Sequence, residues 1–165
     1  LGGACGATVV TTVGSEEKAE ACRALGADVV INYREHDFAE QMKAAGLKAD
    51  VILDIIGAKY LSQNIAALGT AGRLVIIGMQ GGVKAELDIG ALLAKRAAVM
   101  ATSLRARPAE EKAAIVSAMV AQVWPLLADG TVRPIVHRTL PLDDVREAHQ
   151  IVEDSSHIGK VLLAL

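Results

Sequence analysis

The sequence has few aromatic residues and few cysteines, and each shortage excludes a class of protein. Aromatic residues make up 2% of the 165 residues, so we do not expect a platform of rings on which nucleic-acid bases stack. The two cysteines, Cys5 and Cys22, are too few for a disulfide scaffold and do not have the spacing of a zinc site. We expect both to be small buried thiols, in a reducing compartment.

The sequence also lacks an excess of charge and a long apolar run. Its 17 Lys and Arg residues against 19 Asp and Glu residues give a net charge of −2, which provides no electrostatic footprint for nucleic acid. The longest uncharged stretch, 113–128, is shorter than a membrane span and predicts a buried amphipathic helix. The start shows no secretion signal. We therefore expect a cytoplasmic protein with neither nucleic acid nor membrane as a partner.

Apolar residues are abundant, at 52% of the chain, which excludes a disordered protein and supplies the core of one domain. Runs of β-branched residues alternate with apolar stripes of helical period, a pattern that predicts βαβ units and a mainly parallel sheet. The strands consist almost entirely of Val, Ile and Leu, so both sheet faces should be covered. The predicted fold class is α/β, a Rossmann-like doubly wound sheet with strands at 7–13, 28–33, 51–56, 73–77, 98–104, 135–139 and 159–163.

Capping residues and prolines indicate where the predicted helices begin and end. Asp37 is a predicted N-cap, with Glu40 as its reciprocal partner in a capping box. Pro108 is expected at the first position of a long helix that Pro125 should kink or end. Asp143 is expected to cap the last helix. The predicted helices cover 16–25, 38–45, 61–68, 89–95, 108–126 and 144–152.

The carboxyl end of the first predicted strand is the best candidate for a binding site, because ligands of such sheets bind there. This strand ends in Gly14 and Ser15, without the acid that holds the ribose of NAD. The Ser15 hydroxyl, the Lys18 ammonium and the helix N-terminus suit a phosphate, which favours NADPH over NADH. The alternative is that Ser15 is an ordinary N-cap and Lys18 a solvated side chain. Tyr33 either covers the same nucleotide or simply packs.

Two later strand ends are weaker candidates. The loop after the fourth predicted strand contains Gly78, Met79 and Gln80, and its glycines permit close backbone approach to a ligand, although a flexible turn has the same composition. The fifth predicted strand ends in Ser103, Leu104 and Arg105, where the arginine pairs with an anion or is solvated. No residue has the context of a general acid, a nucleophile or a metal ligand. The sequence therefore predicts no catalytic residue and no metal site.

The dinucleotide fingerprint G-x-G-x-x-G is absent from the chain. The residue that reads the ribose normally follows that fingerprint by about 20 positions. If Ser15 occupies that place, the fingerprint and the central strand before it lie upstream of Leu1. We therefore expect an incomplete sheet with exposed strand edges, which another polypeptide completes or around which the sheet rearranges.

The order of the motifs resembles that of a known family. The segments 11–18, 25–28 and 31–34 are followed in register by Asp54-Ile55-Ile56-Gly57, by 72–78, by 102–107 and by 157–161. Together they resemble the zinc-independent, zeta-crystallin-like quinone oxidoreductases of the medium-chain dehydrogenase/reductase superfamily. The resemblance implies a two-domain enzyme that transfers hydride from NADPH to quinones or other electrophiles. It also implies a partial nucleotide-binding domain at 1–133 and, at 134–165, a segment that packs with the catalytic domain.

The resemblance further assigns roles to the candidate residues. Ser15, Lys18 and Tyr33 would surround the 2′-phosphate, the 78–80 loop would follow the pyrophosphate and nicotinamide ribose, and the 103–105 strand end would lie near the nicotinamide. A homodimer through the fifth strand, around Val99 to Leu104, is expected. Two alternatives remain: an enoyl or alkenal reductase of the same superfamily, and a non-catalytic dimerisation or nucleotide-binding module. The chain alone is expected to be inactive.

Overall fold

The computed structural model describes all 165 residues and has the βαβ alternation that the sequence predicts. Every paired strand runs parallel to its neighbour, so the α/β class is confirmed. The strands are β1 (Val10–Val13), β2 (Val29–Asn32), β3 (Ala49–Asp54), β4 (Leu68–Ile76), β5 (Ala98–Ala101), β6 (Val136–Pro141) and β7 (Lys160–Ala164). The helices are α1 (Glu16–Ala24), α2 (Phe38–Ala44), α3 (Leu61–Ala67), α4 (Ile89–Lys95), α5 (Ala109–Ala128) and α6 (Val145–Glu153).

The strands form three separate sheets rather than one. Their orders are β1-β2, β3-β4-β5 and β6-β7. In the Rossmann strand order 3-2-1-4-5-6, β1 and β2 correspond to strands 2 and 3. The strands β3, β4 and β5 correspond to strands 4, 5 and 6. β1 and β3 do not pair with each other, and their unpaired edges border position 1 of that order. The sheet of this chain is therefore open at that position, as the missing fingerprint predicts.

Several predicted boundaries are wrong, chiefly at strand ends. β1 begins at Val10 and β5 ends at Ala101, so both strands are shorter than the predicted strands 7–13 and 98–104. β4 begins at Leu68, five residues before the prediction, because the chain leaves α3 in an extended conformation and Leu68 pairs with Ala49 of β3. Pairing with a neighbouring strand, rather than local composition, decides where these strands begin and end.

The helix ends also differ from the predictions. Pro108 is the N-cap of α5 rather than its first residue, and α5 continues through Pro125. The proline removes one amide donor, but its own carbonyl still accepts from Asp129 N at 3.0 Å, so the last turn is retained. Asp143 does not cap a helix, because 142–144 form a 3₁₀ turn and α6 starts after Asp144, whose side chain makes no capping bond.

Asp37 is confirmed as the N-cap of α2, and its side chain makes one more hydrogen bond than the sequence predicted. Asp37 Oδ1 accepts from the backbone amides of Ala39 at 2.8 Å and Glu40 at 3.1 Å. The reciprocal bond from Glu40 is not formed, and the Glu40 carboxylate instead lies 3.8 Å from Lys43 Nζ. The second Asp37 oxygen accepts from Gln63 Nε2 of α3 at 2.5 Å. A local cap therefore also joins two helices.

The buried core is small, with 17 of 165 residues buried. One cluster packs α2 against β2 and the end of α3, through Ile31, Phe38, Ala39, Met42 and Ala67. No residue of α5 is buried, so the prediction of a buried helix at 113–128 is wrong. The helix has the apolar residues for burial, but most of them are exposed, and Trp124 is 54% exposed. Similarly, Leu53, the next-to-last residue of β3, is 67% exposed.

The cysteines are not core residues, contrary to the prediction. Cys5 is exposed, because it lies in an isolated 3₁₀ turn at Gly3–Cys5, and Cys22 is half-buried on α1. Neither forms a disulfide. None of the helices combines the length and the hydropathy that a membrane span requires.

Replacing Asp37 by alanine should destabilise the fold in a pH-dependent way. Loss of an N-cap costs about 0.5–2 kcal/mol. Hydrogen bonds from Gln63 and from the amides of Glu40 and Ala39 lower the pKa of Asp37 below its ordinary value of 3.8. Its stabilising contribution is therefore present above pH 3.8 and disappears as the pH falls through the lowered folded-state pKa. Urea unfolding from pH 7 downwards measures this.

The control for this experiment is Asp37→Asn, which keeps a capping oxygen but has no charge to titrate. It should remain close to the wild type at pH 7 and show no such loss at low pH. An Asp37→Ala chain that is equally destabilised at all pH values would contradict the assigned role of the carboxylate.

Candidate functional site

A cavity of about 930 Å³ lies at the carboxyl ends of β1, β3 and β4. Its position agrees with the rule that ligands bind beyond the carboxyl ends of parallel strands. Its volume suits a small-molecule or cofactor site. Besides residues of α1, the lining consists of 12–14 at the end of β1, Tyr33 after β2, 55–56 and 59–60 after β3, 80–81 after β4, 133–135 before β6 and 157–160 at the start of β7. The first two sheets and the C-terminal unit, which consists of β6, α6 and β7 with the residues between them and 133–135 before β6, therefore share one cavity.

The buried carboxylate of Asp54 organises the wall that follows β3. Asp54 is 5% exposed, and its two oxygens accept from the amides of Ile56 at 2.8 Å and Gly57 at 2.9 Å. The turn thus formed is joined to the loop after β4, because Gly81 N donates to Ile56 O at 2.7 Å and Ala58 N donates to Gly82 O at 3.1 Å. The carboxyl ends of β3 and β4 are therefore held together as one wall.

Ser15 and Lys18 lie next to each other at the start of α1. The Ser15 Oγ accepts from Lys18 N at 3.3 Å, so Ser15 has the N-cap role that the sequence left as an alternative. Lys18 lines the cavity and is not simply solvated, since its Nζ donates to Ser155 O at 2.5 Å. Ser155 follows α6 and has a positive φ of 52°. The ammonium therefore connects α1 with the C-terminal unit at the cavity.

Gly14 allows two side chains from the end of β2 to cross the end of β1. A Cβ atom at Gly14 would lie 2.6 Å from Tyr33 Oη and 3.3 Å from Arg34 Nε. Any other residue at this position would displace the tyrosine hydroxyl. Tyr33 is exposed and lines the cavity beside Lys18. The sequence analysis missed Arg34, although its place directly after Tyr33 at a strand end was a usable signal.

Tyr60 gives the cavity an aromatic wall. Its ring packs edge-on against Phe38, with a centroid separation of 5.3 Å, and the Lys59 ammonium lies 6.0 Å from its centroid. Burial is the main cause that raises the pKa of the Tyr60 hydroxyl above its ordinary value of 10.0. The phenol is therefore protonated at neutral pH and offers a hydrogen-bond donor at the edge of an apolar surface.

The structure gathers some of the predicted residues at the cavity and leaves others outside it. Those that line it are Gly14, Lys18, Tyr33 and Gln80, with Ser15 adjacent as the N-cap. Gly78 and Met79 are in the same loop as Gln80 but outside the lining, and Met79 is 66% exposed. The strand end after β5 also lies outside it, so Ser103, Leu104 and Arg105 do not join this site.

The charge of the cavity comes mostly from residues that the sequence analysis did not single out. Lys59, Arg133 and Lys160 line it together with Lys18, whereas no Asp or Glu does. His157 also lines it, with Nδ1 located 3.2 Å from Ile151 O. These residues are far apart in the sequence, so no local motif contains them. An exclusively positive lining favours an anionic ligand.

A family model and curated proteins match most of this chain. The model, described as zinc-binding dehydrogenase, matches residues 25–163. The chain is 30% identical to the quinone oxidoreductase of Rattus norvegicus over an alignment 166 positions long, which covers 97% of the chain and 48% of that protein. It is 30% identical to a 2-haloacrylate reductase of Burkholderia sp, covering 96% and 48% respectively. The chain spans about half the length of the curated relatives it matches.

Solved structures show the same relationship. The quinone oxidoreductase of Thermus thermophilus, also solved as its complex with NADPH, superimposes with a TM-score of 0.84 at 28% identity, over 99% of this chain and 52% of that one. The Escherichia coli quinone oxidoreductase complexed with NADPH gives a TM-score of 0.80 at 30% identity, over 99% and 51%. The fold therefore recurs in dehydrogenase-type oxidoreductases.

Asp54→Ala tests whether the buried carboxylate builds the wall of the cavity. The substitution leaves the amides of Ile56 and Gly57 without an acceptor, which should cost about 1–3 kcal/mol of unfolding free energy. Denaturant unfolding measures the loss. Asp50→Ala on the same strand is the matched control, because Asp50 is exposed and its side chain makes no hydrogen bond, so it should change stability by less than about 0.5 kcal/mol. Equal effects of the two substitutions would contradict the role of Asp54.

Proposed function

The chain belongs to the zinc-binding dehydrogenase family of the medium-chain dehydrogenase/reductase superfamily, and on that premise we propose that it is the NADPH-binding portion of a quinone oxidoreductase. The observation that carries the proposal is the cavity at the carboxyl ends of β1, β3 and β4, lined by four side-chain cations and no carboxylate. An NADP dinucleotide is a polyanion with a phosphate on its adenosine ribose, so the charge and the position of this cavity both suit it.

The end of β1 is the proposed 2′-phosphate site. Lys18 provides the cation and Tyr33 a hydroxyl donor, and both line the cavity around Gly14. Ser15 caps α1 here, so the exposed amides of the helix start add a partial positive charge. An acid at this strand end would favour the 2′-hydroxyl of NADH, but the chain has Gly14 and Ser15 there. Arg34, whose Nε lies close to Gly14, adds a second cation on the same side.

The residues of the chain bind and orient in this proposal. NADPH, when bound, supplies the hydride that reduces a quinone or another electrophile. Gly78, Met79 and Gln80 are assigned to the pyrophosphate and the nicotinamide ribose, and Ser103, Leu104 and Arg105 to the surroundings of the nicotinamide, as the family resemblance implies. No residue of this chain is assigned as a catalytic acid or base. Because the chain spans about half the length of its relatives, we propose that it binds the nucleotide without turning it over by itself.

The proposed function assigns no zinc ion to this chain. The family description names the metal, yet no three His, Cys, Asp or Glu side chains come close enough together to hold an ion. The histidines and cysteines of this chain therefore do not fit a zinc site. No step of the proposed function is derived through one.

Lys18→Ala should weaken NADPH binding by about tenfold or more and leave NADH binding nearly unchanged. Only NADPH carries the 2′-phosphate, and a hydrogen bond to a charged group contributes about 1.5–3 kcal/mol. Calorimetric titration of the chain with both nucleotides measures the difference. Lys18→Arg should recover part of the NADPH preference, because it restores the positive charge but not the geometry.

Equal losses for NADH and NADPH would instead indicate damage to α1, since Lys18 also bonds Ser155 O. A wild-type chain that binds neither nucleotide but sediments as a dimer would favour the dimerisation module. The observation behind that alternative is the free outer edge of β5, at the end of its sheet. The proposed homodimer uses this edge, around Val99 to Leu104.

A second candidate reaction, reduction of an activated alkene, is favoured by one comparison. The 2-haloacrylate reductase is as similar to this chain, at 30% identity, as the rat quinone oxidoreductase. Both reactions consume NADPH, so nucleotide binding does not separate them. The two reactions are separated by measuring the steady-state turnover of a quinone and of 2-chloroacrylate by the full-length protein. We expect a higher kcat/KM for the quinone, and a higher value for the acrylate would reverse the assignment.

A further inference from the structure

The chain exposes more surface than a compact protein of its mass. Its accessible surface is 11464 Å² at 17.2 kDa, whereas a folded monomer of that mass exposes about 7,800 Å². The excess of about 3,700 Å² is several times the area that one partner contributes to a stable dimer, which is roughly 800 Å². A single copy therefore leaves enough surface uncovered for a stable interface.

One face of the β3-β4-β5 sheet is apolar and open. Leu53, Val75 and Met100 are neighbours in the strand register and share this face, because successive residues of a strand point to opposite sides. Leu53 and Met100 are exposed, and Val75 is half-buried. On the other face Leu74 is fully buried, and α3 and α4 pack against β4. Parallel sheets are normally covered on both faces, so this open sheet face lacks a covering element.

The helix α5 is a second apolar surface that the chain does not bury. Ile115, Met119, Val123 and Leu126 form a stripe along it. No residue of α5 is buried, and no other helix or strand packs extensively against it. Its 20 residues make it about 30 Å long, which is enough to cross three strands spaced about 4.8 Å apart. The helix therefore has the composition and the length to cover the open sheet face.

Side-chain hydrogen bonds fix the direction in which α5 leaves β5. Arg107 donates to Thr102 Oγ1 at 2.7 Å and to Glu111 Oε2 at 2.8 Å. Lys112 Nζ donates to Arg105 O at 3.0 Å. The first turn of α5 is thus tied to the turn before it, in an orientation that leaves its own sheet face open. A second copy can cover that face without breaking these bonds.

We propose that two copies of this chain associate reciprocally, so that α5 of each copy covers the open sheet face of the other. This arrangement satisfies twofold symmetry, since each copy contributes the same two surfaces. Burial of the apolar stripe drives the association, and the same contact completes the cover of a parallel sheet. The proposed interface does not depend on nucleotide binding. It uses a face of the sheet, whereas the proposed homodimer through β5 uses an edge.

Trp124 reports the association directly, because it is the only tryptophan of the chain and is exposed on α5. Its fluorescence emission should shift to shorter wavelength as the chain concentration rises through the micromolar range, since the partner's sheet removes water from the helix. Sedimentation equilibrium over the same concentrations should give the mass of a dimer. A chain that remains monomeric, with unchanged emission, would overturn the proposal.

Leu53→Lys and Met119→Lys each place an unpaired charge in the proposed interface. Each should raise the dissociation constant of the dimer by about a hundredfold or more. Ala114→Lys is the matched control and should leave the dissociation constant unchanged, because Ala114 lies on the opposite side of α5 from Val123. All three replaced side chains are exposed, so each variant should fold, which circular dichroism checks.

Mixing the two interface variants distinguishes a reciprocal dimer from other dimers. A Leu53→Lys copy keeps an intact α5, and a Met119→Lys copy keeps an intact sheet face, so the mixture retains one of the two contacts. It should dimerise at least about tenfold more tightly than either variant alone. Dimers that neither substitution weakens would use another surface, such as the β5 edge, and would overturn the proposal. Weakening by Met119→Lys alone would indicate pairing of the two α5 helices and would overturn it as well.

Discussion

Parallel pairing of all its strands is the constraint on which the rest of this molecule depends. Because parallel strands place their carboxyl ends at the same edge, the loops after β1, β3 and β4 meet around one cavity. The buried Asp54 carboxylate fixes one of these loops, and Gly14 opens another to the side chains of the neighbouring strand. Arg133, before β6, and Lys160, the first residue of β7, add two cations to the lining of the cavity. Strand direction thus brings the loops together, and local hydrogen bonds hold them around a positively charged site.

Much of the fold was predictable, since strand and helix periodicity are local properties. The bounds of α4 at Ile89–Lys95 and the Asp37 cap match the sequence prediction, because a residue's own side chain or a short period determines them. Burial was less predictable. α5 has the apolar stripe of a core helix yet remains exposed, since burial depends on what else covers a surface and not on the helix itself. The separation of the β1-β2 pair from the β3-β4-β5 sheet was likewise not a local property, since it depends on which strands pair with each other.

The residues of the candidate site also differ in whether local sequence or tertiary packing places them at the cavity. Lys18 and Tyr33 were predictable because each follows a strand whose end was visible in the sequence. Lys59, Arg133 and Lys160 were not, because tertiary packing brings them together from distant segments. Conversely, Arg105 follows a strand end with a favourable composition but lies outside the cavity. Strand ends therefore identify candidate ligands, and only the packed structure selects among them.

A crystal structure of the chain with NADP⁺ tests the central claim most directly, through the distance between Lys18 Nζ and the 2′-phosphate oxygens. The account predicts a separation within hydrogen-bond range, about 2.7–3.2 Å, with the dinucleotide lying in the cavity at the ends of β1, β3 and β4. A nucleotide bound elsewhere on the chain, or a 2′-phosphate located beyond the reach of Lys18, would contradict it.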